Sequence, residues 1–166
     1  MPEDASDFEK ILQTLANRQV DFIVVGGICA VLNGAPVQTY DLDIVPSREP
    51  ENLSRLVHAL SELDAYYREH PRTKLRPQAP RMTGPGHHLL STSAGPLDVL
   101  GAIANKRDYA SLLPHTFEIE LSAGVWIRVL DLQTLITTKE ETGREKDRLV
   151  LPMLRRALEE IERPPT

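Results

Sequence analysis

Asp41 and Asp43 stand two apart in the stretch Tyr40-Asp41-Leu42-Asp43-Ile44-Val45. On an extended backbone, that spacing puts both carboxylates on one face and Leu42 and Ile44 on the other. Carboxylates held side by side raise each other's pKa, and a divalent cation between them resolves the repulsion. Hard oxygen donors suit magnesium or manganese. Upstream, the pair Gly26-Gly27 ends the apolar run Phe22 to Val25. If a helix starts there, its free backbone N–H groups and the positive end of its dipole suit a phosphate. A cation and a phosphate facing each other is the arrangement for metal-assisted phosphoryl transfer.

Three short elements must position these groups. The β-branched run at 22–25 predicts a strand buried on both faces. Ile28, Val31 and Leu32 follow at helical spacing as a short apolar stripe, and Gly34 and Pro36 supply a stop. Tyr40 to Val45 then predicts the second strand. Cys29 reads as a small core residue of the short helix.

Gly26-Gly27, followed after thirteen residues by the Asp41-Leu42-Asp43 of Thr39-Tyr40-Asp41-Leu42-Asp43, resembles the motif of the nucleotidyltransferase (polymerase β-like) superfamily. Gly95-Pro96-Leu97-Asp98-Val99-Leu100-Gly101 looks like the later strand that carries the third acid, which would make Asp98 the third carboxylate. The C-terminal part, from Asp131 through Lys139 to Gly143-Arg144-Glu145-Lys146-Asp147, is similar to small bacterial nucleotidyltransferase-like proteins related to abortive-infection toxins of the AbiEii type. The resemblance covers roughly residues 20 to 155. It implies an α/β (α+β) fold, a mixed sheet flanked by helices. It also implies Mg2+ or Mn2+ on Asp41, Asp43 and Asp98, and an NTP held by Gly26, Gly27, Thr39, Lys139, Arg144 and Lys146. The acceptor class is left open as RNA such as tRNA, protein or a small molecule. A catalytically inactive nucleotide binder, or one half of a toxin–antitoxin pair, is the alternative within the same fold.

The rest of the chain supplies scaffold and one charged insertion. Ser6-Asp7-Phe8-Glu9 fits a capping box ahead of the stripe Phe8, Ile11, Leu12 and Leu15. Pro50 opens a helix to about Leu63. From Tyr66 to Gly86 no period holds, and a long loop is expected. Residues 66–81 carry Arg68, Arg72, Lys74, Arg76 and Arg81 against Glu69 alone, leaving fourteen basic and twenty-three acidic residues elsewhere. Such a contrast fits either a loop that reaches an anionic acceptor or a solvated one. Tyr66 and Tyr67 either stack on a base or close a helix against the core. His87 to Thr92 and Leu97 to Leu100 read as a hairpin, with His87 and His88 on opposite faces. Phe117 to Leu121 and Val125 to Leu130 read as another, with Trp126 as a packing residue.

Asp131 predicts an N-cap, followed by the stripe Leu132, Leu135 and Ile136. Lys139 extends that stripe and so points its ammonium toward the core or a cleft. Two readings stand: an ion pair with Asp147 that ties two helices, or Lys139 on nucleotide phosphates with Asp147 orienting it. The last helix carries Val150, Leu151, Leu154, Leu158 and Ile161, and Pro152 predicts a kink or restart.

At 166 residues, one domain over 1–163 with a tail at 164–166 is expected. No apolar run approaches the roughly 18 residues of a membrane helix. The opening Met1-Pro2-Glu3-Asp4-Ala5 lacks the order of a secretory signal, so a cytoplasmic protein is expected. A single cysteine excludes an intrachain disulfide and a thiolate zinc cluster. There is no Gly-x-x-x-x-Gly-Lys-Ser/Thr loop, no Gly-x-Ser-x-Gly elbow, and no histidine pair at helical metal spacing.

Overall fold

The structure is a computed structural model that describes residues 6–165. Those residues form a mixed seven-stranded sheet with helices packed against it. The order of elements is α1 (Phe8–Asn17), β1 (Phe22–Val25), α2 (Gly26–Leu32), β2 (Leu42–Pro46), α3 (Pro50–Glu62), β3 (Tyr66–Tyr67), β4 (His87–Thr92), β5 (Gly95–Leu100), α4 (Tyr109–Leu112), β6 (Thr116–Ser122), β7 (Val125–Leu130), α5 (Leu132–Thr142) and α6 (Glu145–Glu162). Across the sheet the strands run β3-β4-β5-β2-β1-β7-β6. β1 is antiparallel to β2 and parallel to β7, and β2 is parallel to β5.

The centre of the sheet is where the sequence is most apolar. All four residues of β1 are buried, as a strand covered on both faces requires. Ile11 and Leu15 of α1, Leu53, Leu56 and Leu60 of α3, and Ile44 of β2 are sealed in the same core. Each such side chain contributes about 1.5–3 kcal/mol by leaving water. Cys29 joins them, its thiol donating to the Leu130 carbonyl at 3.1 Å. Burial pushes that thiol up to about 12, so it is a core residue and not a nucleophile. Among the described residues no helix is long and apolar enough to cross a membrane.

Several local expectations are corrected. The N-cap of α1 is Asp7, not Ser6: its carboxylate accepts from the Lys10 amide at 3.0 Å. In α2 the buried residues are Cys29 and Ala30, while Val31 is exposed, because seven residues are too few to show a reliable stripe. The stretch after α3 is not one loop. It opens with the edge strand β3 and contains a 3₁₀ turn at Ala79–Met82 whose Met82 is buried. A two-residue strand has no period to read. Tyr66 and Tyr67 therefore lie on an edge strand, and the Tyr67 hydroxyl meets His88 Nδ1 at 2.7 Å. Trp126 is exposed on β7 rather than packed.

Pro152 neither ends nor restarts the last helix; α6 runs through it. An interior proline costs about 3 kcal/mol. Here it faces solvent, and burial of Leu151, Leu154 and Ala157 against the core offsets it. Ile161, expected on that stripe, is exposed. The caps of α5 are as expected: Asp131 accepts from the Thr134 amide at 2.7 Å, and Gly143 closes the helix in the left-handed conformation.

Candidate active site

Sheet register brings the two strand acids together. β2 pairs with β1 so that Asp43 lies opposite Val25, the last residue before Gly26. On its other side β2 pairs with β5, and Asp43 lies opposite Asp98. In a parallel pair, residues in register share a face, so two carboxyl groups 55 positions apart in the sequence end side by side. Asp41 sits just ahead of β2, half-buried, with its carbonyl accepting from the Thr39 hydroxyl at 3.1 Å.

The glycine pair has a steric role. Gly26 adopts φ +70°, which favours glycine, and a Cβ there would collide with the Asp43 carboxylate. A Cβ on Gly27 would meet the Thr39 hydroxyl oxygen at 2.5 Å. The two glycines thus admit Asp43 and Thr39 close to the backbone where β1 turns into α2.

The electrostatics of the two acids differ. Burial, then the charge of Asp98, a hydrogen bond shared with Asp98 and the charge of Asp41 push the Asp43 carboxyl up to about 7, and Lys139 only partly opposes this. Asp98 has a resident partner. The Arg68 guanidinium donates to it at 2.7 Å and to the Leu90 carbonyl at 2.9 Å, leaving Arg68 Nε buried without a partner.

Asp43 and Gly26 line a cleft of about 540 Å³. Its opposite wall comes from α5 and the start of α6, with Leu135, Lys139 and Arg144. Between them lies Asp147, 1 % exposed, which accepts from Lys139 Nζ at 3.1 Å, the Thr142 hydroxyl at 2.7 Å and Arg144 Nε at 2.8 Å. Burial alone would raise this carboxyl, but the hydrogen bonds from Arg144, Thr142 and Lys139 outweigh it and hold it at about 2. The Lys139–Asp147 pair therefore does tie α5 to α6, and Lys139 faces the cleft as well.

Other expected residues scatter. Thr39 packs on Gly27, and Lys146 is exposed outside the cleft lining. Of the basic residues at 66–81, Arg68 is committed to Asp98, while Lys74 and Arg76 both pair with Asp64. Arg72 and Arg81 are exposed and take part in no ion pair among the described residues. The free charge of that stretch is thus much smaller than its composition suggests. His87 and His88 do face opposite ways: His87 bonds the Ala102 carbonyl at the cleft, and His88 meets Tyr67. Lys106, which also lines the cleft, carries no sequence motif that marks it.

Among the described residues no group of three or more His, Cys, Asp or Glu side chains is arranged to hold a metal ion. The chemistry of the donor set nevertheless fits a hard divalent cation at Asp43. It is an oxygen donor beside Asp98 and Asp41, and burial first, then the nearby charges of those two acids, raise its carboxyl above the usual range. Asp98 joins such a set only in competition with Arg68.

No protein-family model matches the chain, and no curated protein sequence matches it. Among solved structures, it is similar to a crystal structure of a putative nucleotidyltransferase from Thermotoga maritima, with 20 % identity and a TM-score of 0.56 over 92 % of this chain and 91 % of that one. The fold of the described residues is accordingly nucleotidyltransferase-like, a single mixed α/β unit.

Proposed function

We propose that the chain is a metal-dependent nucleotidyltransferase that moves a nucleotide from an NTP to an acceptor. One observation carries this reading: an unneutralised carboxyl, Asp43, in register beside Asp98, lines a cleft of about 540 Å³ whose other wall is cationic. Asp43, with Asp41 and Asp98 beside it, would hold Mg2+ or Mn2+. That ion when bound supplies neutralisation of phosphate oxygens and orientation of the transferred group.

The protein's own groups do the rest. Lys139 and Arg144, steadied by Asp147, present positive charge to the phosphates. Gly26 keeps the backbone low enough for Asp43 to approach the reacting centre. Leu135 and Leu100 give the cleft an apolar lining that excludes water and strengthens these interactions. Asp98, in register beside Asp43, would complete the carboxylate set and help take the proton of the acceptor hydroxyl. RNA, including tRNA, is an acceptor that exposed Arg72 and Arg81 would favour, and kinship with AbiEii-type toxins belongs to the same reading.

A second reading is a nucleotide-binding or toxin–antitoxin partner-binding protein without turnover. The Arg68–Asp98 pair favours it, because a guanidinium already occupies the third carboxylate. The test is a magnesium titration with labelled NTPs that follows binding and transfer of label to total tRNA, to protein and to the chain itself. Transfer that is lost in Asp43→Asn supports the enzyme; binding without transfer supports the second reading; undiminished transfer in Asp43→Asn overturns the mechanism.

A further inference from the structure

We infer that Lys106 is a phosphate-binding residue of the cleft, held over it by a strained loop, and that it selects a polyphosphate over a monophosphate. The inference rests on the nucleotide reading of the same cleft and adds the group that reads phosphate number. Lys106 lines the cleft with Lys139 and Arg144. The other two cations share the buried Asp147, so part of their charge is spent inside the protein. Lys106 is exposed and takes part in no ion pair among the described residues. The positive charge of the wall is divided among three separate side chains, so a polyphosphate, with charge on successive groups, can meet more of them than a single phosphate.

The backbone at Lys106 is built to keep it there. Asn105 and Lys106 have φ of 55° and 59°, two consecutive left-handed residues of which neither is glycine. Such a conformation persists only where the surroundings impose it, and it clusters at ligand clamps. The surroundings here are specific. Ile103 and Arg107 close the loop by two backbone hydrogen bonds, Ile103 N–H to the Arg107 carbonyl at 2.9 Å and Arg107 N–H to the Ile103 carbonyl at 3.1 Å. The Arg107 guanidinium then binds both oxygens of Glu141 on α5, with the outer bond at 2.8 Å. α5 is also the helix of Lys139. The loop is therefore pinned to the helix that carries Lys139, while Arg144, at the N-cap of α6, joins Lys139 through Asp147.

The test is equilibrium binding of ATP, AMP and inorganic tripolyphosphate to the full chain, with thermal unfolding of every variant. Lys106→Ala is expected to weaken ATP and tripolyphosphate about tenfold, the value of one charge-assisted hydrogen bond to phosphate, while AMP changes by less than about twofold. Lys106→Arg should restore most of the loss. Lys106→Gly should lose phosphate affinity as Lys106→Ala does while its Tm rises above that of the wild type, because glycine accepts the left-handed backbone without strain. ATP bound by the wild type and equally well by Lys106→Ala would overturn this inference and leave the nucleotide reading intact. No binding of ATP by the wild type would overturn both.

Discussion

Two carboxylates line one cleft, the buried Asp147 and the half-buried Asp43, and they have opposite fates. Asp147 receives Lys139, Thr142 and Arg144 and is held at about 2. Asp43 is pushed up to about 7 by burial and then by the two further acids near it. The protein finishes the first and leaves the second unneutralised. A carboxylate with three donors is scaffold; one that the fold sets beside another acid is a candidate for a functional group.

The contrast can be broken first at Asp147. Replacing it with Ala leaves Lys139 and Arg144 without their shared counter-charge, and about 3 kcal/mol of stability should be lost, read from urea unfolding. Its protection is also pH-dependent. The folded pKa lies below the ordinary 3.8, so the stabilisation is present above that value and is lost as pH falls through about 2.

Asp43 should behave in the opposite sense. Its folded pKa lies above 3.8, so its contribution is favourable below that value and is lost as pH rises through about 7. Asp43→Asn should therefore melt several degrees above the wild type at pH 8, and the two should converge near pH 4. A variant that is less stable at pH 8 would remove the claim that Asp43 is unneutralised.

Arg68 sharpens the comparison, because it gives Asp98 what Asp43 lacks. Arg68→Ala should raise affinity for Mn2+ severalfold, measured by electron paramagnetic resonance, and cost about 1 kcal/mol, since the pair is only partly buried. The smallest effect is expected from Arg76→Ala. Arg76 pairs with Asp64 at the surface and donates to the Ala65 carbonyl at 3.0 Å, so the cost should stay under about 1 kcal/mol and nucleotide binding should not change.

How much of this was written locally can be judged residue by residue. The alternation at 41–44 and the apolar run at 22–25 are short-range patterns, so β1, β2 and the face of Asp43 were legible. Asp98 was legible only through resemblance, since register across 55 residues leaves no local mark. Arg68 read as one cation of a basic loop, and its pairing with Asp98 depends on edge strand β3, which is two residues long. The same holds for Lys74 and Arg76, whose partner Asp64 lies before the loop. Lys106 was missed because its signal is a backbone conformation, and Asn105, a residue tolerant of positive φ, was the only hint in the chain. Pro152 misled in the other direction: local propensity lost to the buried stripe around it.

The most direct measurement of the central claim is Mn2+ binding in the presence of ATP, by electron paramagnetic resonance, in the wild type and Asp43→Asn at pH 8. A saturable, ATP-dependent site in the wild type that is lost in the variant, with the fold intact, is the predicted result. Equal binding in both proteins would contradict the assignment of Asp43 as the group that waits for a cation.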